Sequence, residues 1–314
     1  MPFIQNNHKE IDNLSSTQSN QEETNNNYSI QNDYEEINEC LTLNNSGDYK
    51  KAIEVGKLAV EKYPKNSDAY YCLGEAYFNI GEFKLAYKNF KKAEGLTNNK
   101  EDLMQIYNRI GQILEKMGSL DDAFTYYNKS LSLAKDLGNT DWQAAALNGI
   151  ANIYYEKEKL DKALSYYNKS LSLQTNEKGK SSIYNNIAII YDEMLAYEEA
   201  IEYFQKAIEM DEKYGNYHSI SQIKLNLGET YRKMGDYENA EKYLTEGLEG
   251  VKRAGDKYLE AAAYYFFGRL YRDKGDEETA KEYYIRAYNL FKSIGAEENA
   301  QSVLNEIKEL DKSK

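Results

Sequence analysis

The octapeptide Tyr-Tyr-Asn-Lys-Ser-Leu-Ser-Leu stands at residues 126–133 and again at residues 166–173, which is 40 residues further along the chain. An identity of this length at a fixed distance indicates an internal repeat. In each copy an alanine precedes the octapeptide by three positions. Equivalent alanines recur at spacings of 34, 37, 40, 37, 40 and 40 residues, at Ala52, Ala86, Ala123, Ala163, Ala200, Ala240 and Ala280.

Each of these units carries the same pattern of small and large residues. Gly74 and Gly228 lie twelve residues before their alanines, and Tyr77 and Tyr231 follow these glycines by three positions. Large residues three or four apart form one apolar face of a helix, and small residues let a second helix come close. A glycine between the two segments can end the first helix in the left-handed conformation. The pattern therefore predicts an all-α chain of paired helices, with turn glycines at Gly47, Gly81, Gly118, Gly235 and Gly275.

This pattern resembles the tetratricopeptide repeat (TPR), a helix–turn–helix unit. The match is closest in the second unit, at Tyr70, Leu73, Gly74, Tyr77, Ala86, Phe90 and Ala93. The longer spacing resembles the extended repeats of kinesin light chains, cell-polarity adaptors and Rap-type bacterial regulators. The resemblance implies a right-handed superhelical solenoid of about seven TPR units over residues 33–295. Residues 296–314 are then expected to form a C-terminal capping helix, which shields the end of such an array from water.

The N-terminal segment differs from the repeats. Within residues 1–32, 18 positions are Asn, Gln, Ser or Thr, and apolar residues show no helical period. Such a segment buries too little apolar surface to offset the entropy lost on ordering. Residues 1–32 are therefore predicted to be a disordered polar tail.

Composition and motifs argue against several classes of function. The net charge of −13 opposes nucleic-acid binding, and no apolar run approaches the length of a membrane span. No phosphate-binding glycine loop and no nucleophile–base signature is present, so we expect no enzymatic activity and no cofactor. Cys40 and Cys72 exclude a disulfide-dense secreted scaffold, and with His8 and His218 they form no metal-ligand motif. We expect a cytoplasmic protein without a metal site.

The first helix of each repeat offers a second stripe beside its packing stripe. The TPR resemblance implies that this second stripe faces the concave groove and carries ligand contacts. Asparagine is unfavourable inside helices, but its amide can pair with the backbone of an extended peptide. Arginines at the C-terminal end could hold carboxylates. The predicted groove residues are Asn108, Arg109, Gln112, Asn148, Asn152, Asn185, Asn186, Asn226, Arg232, Arg269 and Arg272, with Glu229 on the same stripe. The alternative is that these amides stabilise neighbouring helices, since asparagine is common throughout the chain.

The leading hypothesis is a non-enzymatic scaffold or adaptor that binds a peptide or protein segment in its groove. Its partner would be acidic or carry a free carboxylate, and no nucleic-acid partner or direct membrane insertion is expected. A peptide-responsive regulatory sensor of the Rap type is the alternative, and an enzyme that uses the groove is less favoured. The sequence leaves the partner's identity and the oligomeric state open.

Overall fold

The structure, a computed structural model, describes residues 34–312. The predicted polar tail, residues 1–32, lies outside the described residues. The described chain contains fifteen α-helices and no β-strand, and it divides into two compact units, residues 34–176 and residues 177–312. This confirms the all-α TPR fold class, with seven helical hairpins followed by a single last helix.

The first unit holds four hairpins, and the second holds three hairpins and the last helix. In the first unit the helices are α1 (Glu35–Ser46), α2 (Tyr49–Lys62), α3 (Ser67–Asn79), α4 (Phe83–Glu94), α5 (Lys100–Lys116), α6 (Leu120–Asp136), α7 (Thr140–Glu156) and α8 (Leu160–Leu173). In the second unit, after a short 3-10 turn at Glu177–Gly179, they are α9 (Lys180–Glu193), α10 (Tyr197–Tyr214), α11 (Tyr217–Met234), α12 (Tyr237–Ala254), α13 (Lys257–Asp273), α14 (Glu277–Ser293) and α15 (Glu297–Lys312).

The repeated alanines lie where the two helices of each hairpin meet. All seven, from Ala52 to Ala280, are completely buried. The small residue of the first helix, which is a glycine in several hairpins, packs closely against a large side chain of the second helix. A Cβ atom added at Gly268 would lie 2.5 Å from the ring of Tyr284, and one added at Gly111 would lie 2.8 Å from the ring of Tyr127. These distances confirm that small residues permit the close approach of paired helices.

Two side chains of the octapeptide are buried in the same way in both copies. Its second tyrosine, Tyr127 or Tyr167, fills the core of its hairpin. Its first serine reaches across to the first helix of the same hairpin. The Ser130 hydroxyl donates to the carbonyl of Met104 at 2.8 Å, and the Ser170 hydroxyl donates to that of Ala144 at 2.7 Å. A buried hydroxyl needs such a partner, so the serine fixes the register of the two helices.

Helix starts explain part of the asparagine content. The side chains of Asn66, Asn99, Asn139 and Asn216 each accept a backbone N–H from the first turn of the helix that follows. Asp256 does the same at α13. Such caps satisfy N–H groups that have no partner within the helix.

Two hairpins differ from the others in the residue that forms the left-handed turn. The five predicted turn glycines all adopt the left-handed conformation, as expected. In the α7–α8 and α9–α10 hairpins the corresponding residues are Glu158 and Leu195, with φ angles of 56° and 62°. Side chains with a Cβ are strained in this region. The geometry of the hairpin therefore determines the turn even where glycine is absent.

A disulfide bond joins the first two hairpins. Cys40 of α1 and Cys72 of α3 are bonded, and both residues are fully buried. The Asn44 amide donates to the Cys72 carbonyl at 3.0 Å beside them. The sequence motifs gave no indication of this bond, because a separation of 32 residues fits no short cysteine motif.

No helix within residues 34–312 combines the length and the apolar character needed to cross a membrane.

Leu195→Gly is expected to raise the free energy of unfolding by about 1 kcal/mol, because glycine adopts the left-handed conformation without strain. Leu195 is 69% exposed, so removal of its side chain sacrifices little apolar burial. Chemical denaturation measures the change. Leu195→Ala is the control, since alanine retains the backbone strain. A Gly variant no more stable than the Ala variant would contradict the prediction.

Loss of the disulfide is expected to lower the stability of the first unit by about 3 kcal/mol or more, because the cross-link restricts a loop of about 30 residues in the unfolded chain. Thermal unfolding of the Cys40→Ala/Cys72→Ala variant, with and without a reductant, measures the loss. The reductant should affect only the parent protein. Alkylation of two cysteines in denatured, unreduced protein would show that the bond does not form.

Candidate functional site

In the first unit, two of the predicted groove residues of α5, Arg109 and Gln112, belong to one group of polar contacts. The Arg109 Nε lies 2.7 Å from the Glu75 carboxylate of α3, and Arg109 donates to Gln112 Oε1 at 2.9 Å. The guanidinium also lies over the ring of Phe78. Arg109 is only 7% exposed, whereas Gln112 is partly exposed. These contacts link α3 and α5.

A second network connects α5, α6, α7 and α8. The Tyr127 hydroxyl donates to the Glu115 carboxylate at 2.7 Å, and the Asn152 amide donates to its other oxygen at 3.2 Å. Asn152 in turn accepts a hydrogen bond from the Tyr167 hydroxyl at 2.6 Å. Burial is the main cause that raises the pKa of Glu115. Asn152 therefore joins consecutive hairpins of this unit.

Two further asparagines of the first unit differ in exposure. Asn108 is completely buried, and neither polar atom of its amide has a hydrogen-bond partner among the described residues. Asn148, on α7, is partly exposed.

In the second unit, the three predicted asparagines lie in the interior. Asn185, Asn186 and Asn226 are at most 1% exposed. The Asn226 amide donates to Asn185 Oδ1 at 3.4 Å, which connects α11 to α9.

The arginines of the second unit surround one buried carboxylate, that of Glu229. This residue is 2% exposed and accepts two hydrogen bonds from Arg232, at 2.8 and 2.9 Å. The Arg269 Nη1 lies 2.5 Å from the same carboxylate. Arg232 also pairs with Asp273, so its donors are engaged on two sides. Glu229 thereby holds guanidinium groups from α11 and α13 next to each other.

Arg272 contacts the last helix, α15. Its Nη1 lies 2.6 Å from the Glu306 carboxylate of α15, and the Tyr265 hydroxyl donates to the other Glu306 oxygen at 3.2 Å. Burial raises the pKa of Tyr265 to about 12, so its hydroxyl stays protonated at neutral pH.

Glu229, Arg269, Arg272, Tyr265 and Glu306 line a cavity of about 270 Å³ within the second unit. This volume lies just below the range for small-molecule sites and suits one side chain or the end of a peptide. Three acidic and three basic side chains and two aromatic ones form its wall, contributed by α9, α11, α13 and α15. The lining residues are Glu193, Glu229, Lys233, Tyr265, Phe266, Arg269, Arg272 and Glu306.

The structure thus divides the eleven predicted groove residues by accessibility. Gln112, Asn148, Arg269 and Arg272 are partly exposed. Only Arg269 and Arg272 of the eleven line the cavity. The other seven are more than nine-tenths buried, namely Asn108, Arg109, Asn152, Asn185, Asn186, Asn226 and Arg232. The ligand-contact role of all eleven residues remains a prediction.

Sequence reasoning missed the contribution of α15. Glu306 lies in the helix that the sequence assigns to capping, outside the repeat pattern, so no periodic position marks it. Lys233 and Glu193 were also missed, although Lys233 follows Glu229 of the predicted stripe by about one turn and Glu193 follows Asn186 by about two turns.

Comparison with known families agrees with the helical hairpins. Family models described as Tetratricopeptide repeat match residues 56–88, 102–176, 181–214 and 219–293. The chain belongs to the tetratricopeptide repeat family, and its fold is that of a protein-interaction repeat scaffold. No curated protein sequence matches the chain significantly.

Solved structures share the fold at low sequence identity. A Rap protein complexed with Competence and Sporulation Factor is 15% identical, with a TM-score of 0.67, over 93% of this chain and 89% of that one. The Rap conjugation gene regulator of the plasmid pLS20, in complex with the Phr* peptide, is 20% identical, with a TM-score of 0.66, over 84% and 75%. The Cut9–Hcn1 hetero-tetramer of APC/C is 17% identical, with a TM-score of 0.65, over 85% and 48%.

Glu115 should make the stability of the first unit depend on pH. Because its pKa is raised above the ordinary 4.5 in the folded state, the ionised form opposes folding, and stability decreases as pH rises through the folded pKa. Glu115→Gln removes this titration. Denaturant unfolding between about pH 5 and pH 7 should show the parent losing stability relative to the variant as pH rises. Parallel pH profiles for the two proteins would contradict this.

Proposed function

We propose that the chain is a non-enzymatic scaffold that binds an acidic peptide segment, or a peptide with a free C-terminal carboxylate, at the cavity of the second unit. The observation that carries the proposal is the pair of accessible guanidinium groups, Arg269 and Arg272, in a cavity of side-chain size. Guanidinium groups bind carboxylates through charge-assisted hydrogen bonds.

The surrounding contacts suit this role because they fix the arginines before a ligand arrives. The buried Glu229 carboxylate pairs with Arg269, and the side chain of Arg269 remains 22% exposed. The side chain of Arg272 is 34% exposed. Arg232 is 7% exposed and has its donors committed to Glu229 and Asp273, so we assign it to positioning. A preorganised pair loses less conformational entropy on binding than free side chains do.

Gln112 and Asn148 are the accessible members of the predicted stripe in the first unit, and their ligand contacts remain a prediction for that unit by itself. The deeply buried asparagines could take part only after a local rearrangement. Carboxylate capture is therefore the part of the proposal that the geometry supports most directly.

A peptide-responsive sensor is the second candidate, and the fold similarity to Rap proteins favours it. Two of these structures, by their descriptions, are complexes with Competence and Sporulation Factor and with the Phr* peptide. Small-angle scattering discriminates the candidates, because a sensor should compact when peptide binds, whereas a simple adaptor should keep its dimensions.

The Cys40–Cys72 disulfide bears against the expected cytoplasmic location, because disulfides persist mainly in oxidising compartments.

The test of carboxylate capture uses two pools of fluorescein-labelled random hexapeptides, one with free C-terminal carboxylates and one amidated. The full-length protein is immobilised, and mass spectrometry identifies the retained peptides. We expect enrichment of free-carboxylate and acidic peptides, and a reduction of about tenfold or more in Arg269→Gln/Arg272→Gln, since a hydrogen bond to a charged group contributes about 1.5–3 kcal/mol.

Arg253→Gln is the matched control, because Arg253 is exposed on α12 and does not line the cavity. Its retention of peptides should equal that of the parent. Equal retention by the double variant would refute carboxylate capture at this cavity, and so would equal retention of amidated peptides that lack Asp and Glu.

A further inference from the structure

The cavity of the second unit already contains a carboxylate that resembles the proposed ligand. Glu306 of α15 pairs with Arg272 and accepts a hydrogen bond from Tyr265. These contacts are the ones that an incoming carboxylate would use. Building on the proposed function, we propose that Glu306 is an intramolecular competitor, which occupies the carboxylate site until an acidic ligand displaces it.

The charges of the cavity wall support displacement. Glu193, Glu229 and Glu306 oppose Lys233, Arg269 and Arg272, so the lining side chains carry no net formal charge. An additional carboxylate meets no net attraction while all three acidic groups remain. If one of them moves out into water, the wall gains one positive charge and attracts the ligand.

Of the two cavity-lining carboxylates that pair with cavity arginines, Glu306 is the one that can leave. Glu229 is 2% exposed and bonded to both Arg232 and Arg269, and withdrawal would leave buried charges unpaired. The side chain of Glu306 is 22% exposed and pairs with a partly exposed arginine. Exposed pairs contribute little net free energy, so exchange with a ligand carboxylate costs little.

The position of α15 does not depend on the Glu306 carboxylate. Ala300, Val303 and Leu310 bury the apolar side of this helix. The Glu306 side chain can therefore rotate towards solvent while α15 stays packed on α14. Glu306 therefore affects both the affinity and the selectivity of ligand binding. Only a ligand that replaces both of its contacts, to Arg272 and to Tyr265, competes effectively.

Glu306→Gln tests this competition, because glutamine keeps the shape of the side chain and removes its charge. Fluorescence anisotropy of the full-length protein with the two hexapeptide pools gives apparent affinities. We expect the variant to bind the free-carboxylate pool about fivefold more tightly than the parent, from the ordinary strength of a partly exposed ion pair. Binding of amidated peptides that lack Asp and Glu should not change.

Glu309→Gln is the matched control, because Glu309 is exposed on the same helix and does not line the cavity. Thermal unfolding verifies that both variants remain folded. Unchanged or weaker binding by Glu306→Gln, with carboxylate-dependent binding retained by the parent, would overturn the competition and leave carboxylate capture standing. Absence of carboxylate-dependent binding in the parent and in Glu306→Gln would overturn carboxylate capture itself, and the competition with it.

Discussion

Three hairpins depend on one steric contact, the approach of a large ring to a glycine of the first helix, at Gly74, Gly111 and Gly268. At Gly268 an added Cβ would come within 2.5 Å of Tyr284. The same kind of contact packs α6 against the next hairpin, where a Cβ added at Gly149 of α7 would come within 2.3 Å of Tyr127. Real Cβ atoms do not tolerate such distances, so a larger residue would push the helices apart. The interior is packed too densely to absorb that movement. The spacing of the helices in these hairpins follows from this contact.

Close packing of this kind explains why the fold could be predicted from the sequence. Ala52, Ala123 and Ala240 mark equivalent positions without any knowledge of the surface, because burial leaves few residue types that fit. The turn glycines were predictable for a similar reason. Glu158 and Leu195 show the limit of this reasoning, since tertiary packing imposes a left-handed turn on residues that disfavour it.

The candidate site was only partly predictable. Arg269 and Arg272 were found because they lie on the second stripe of their helix and are basic residues in a chain of net negative charge. The periodic pattern could not show that Asn185 and Asn226 turn inward, since a polar stripe next to the packing stripe can face water or a neighbouring helix. Glu306 was missed because its role depends on a contact between α13 and α15 that no repeat position encodes. The Cys40–Cys72 bond escaped prediction because it joins two helices that are separated by a third.

That disulfide has a consequence for local opening. In a linear array each hairpin contacts only its neighbours, so a terminal hairpin has fewer contacts to lose and opens first. The bond ties α1 to α3, and the first hairpin therefore cannot detach from the second when the contacts around it loosen. Amide hydrogens of α1 and α2 should accordingly exchange together with those of α3, as one cooperative segment and not as a fraying end.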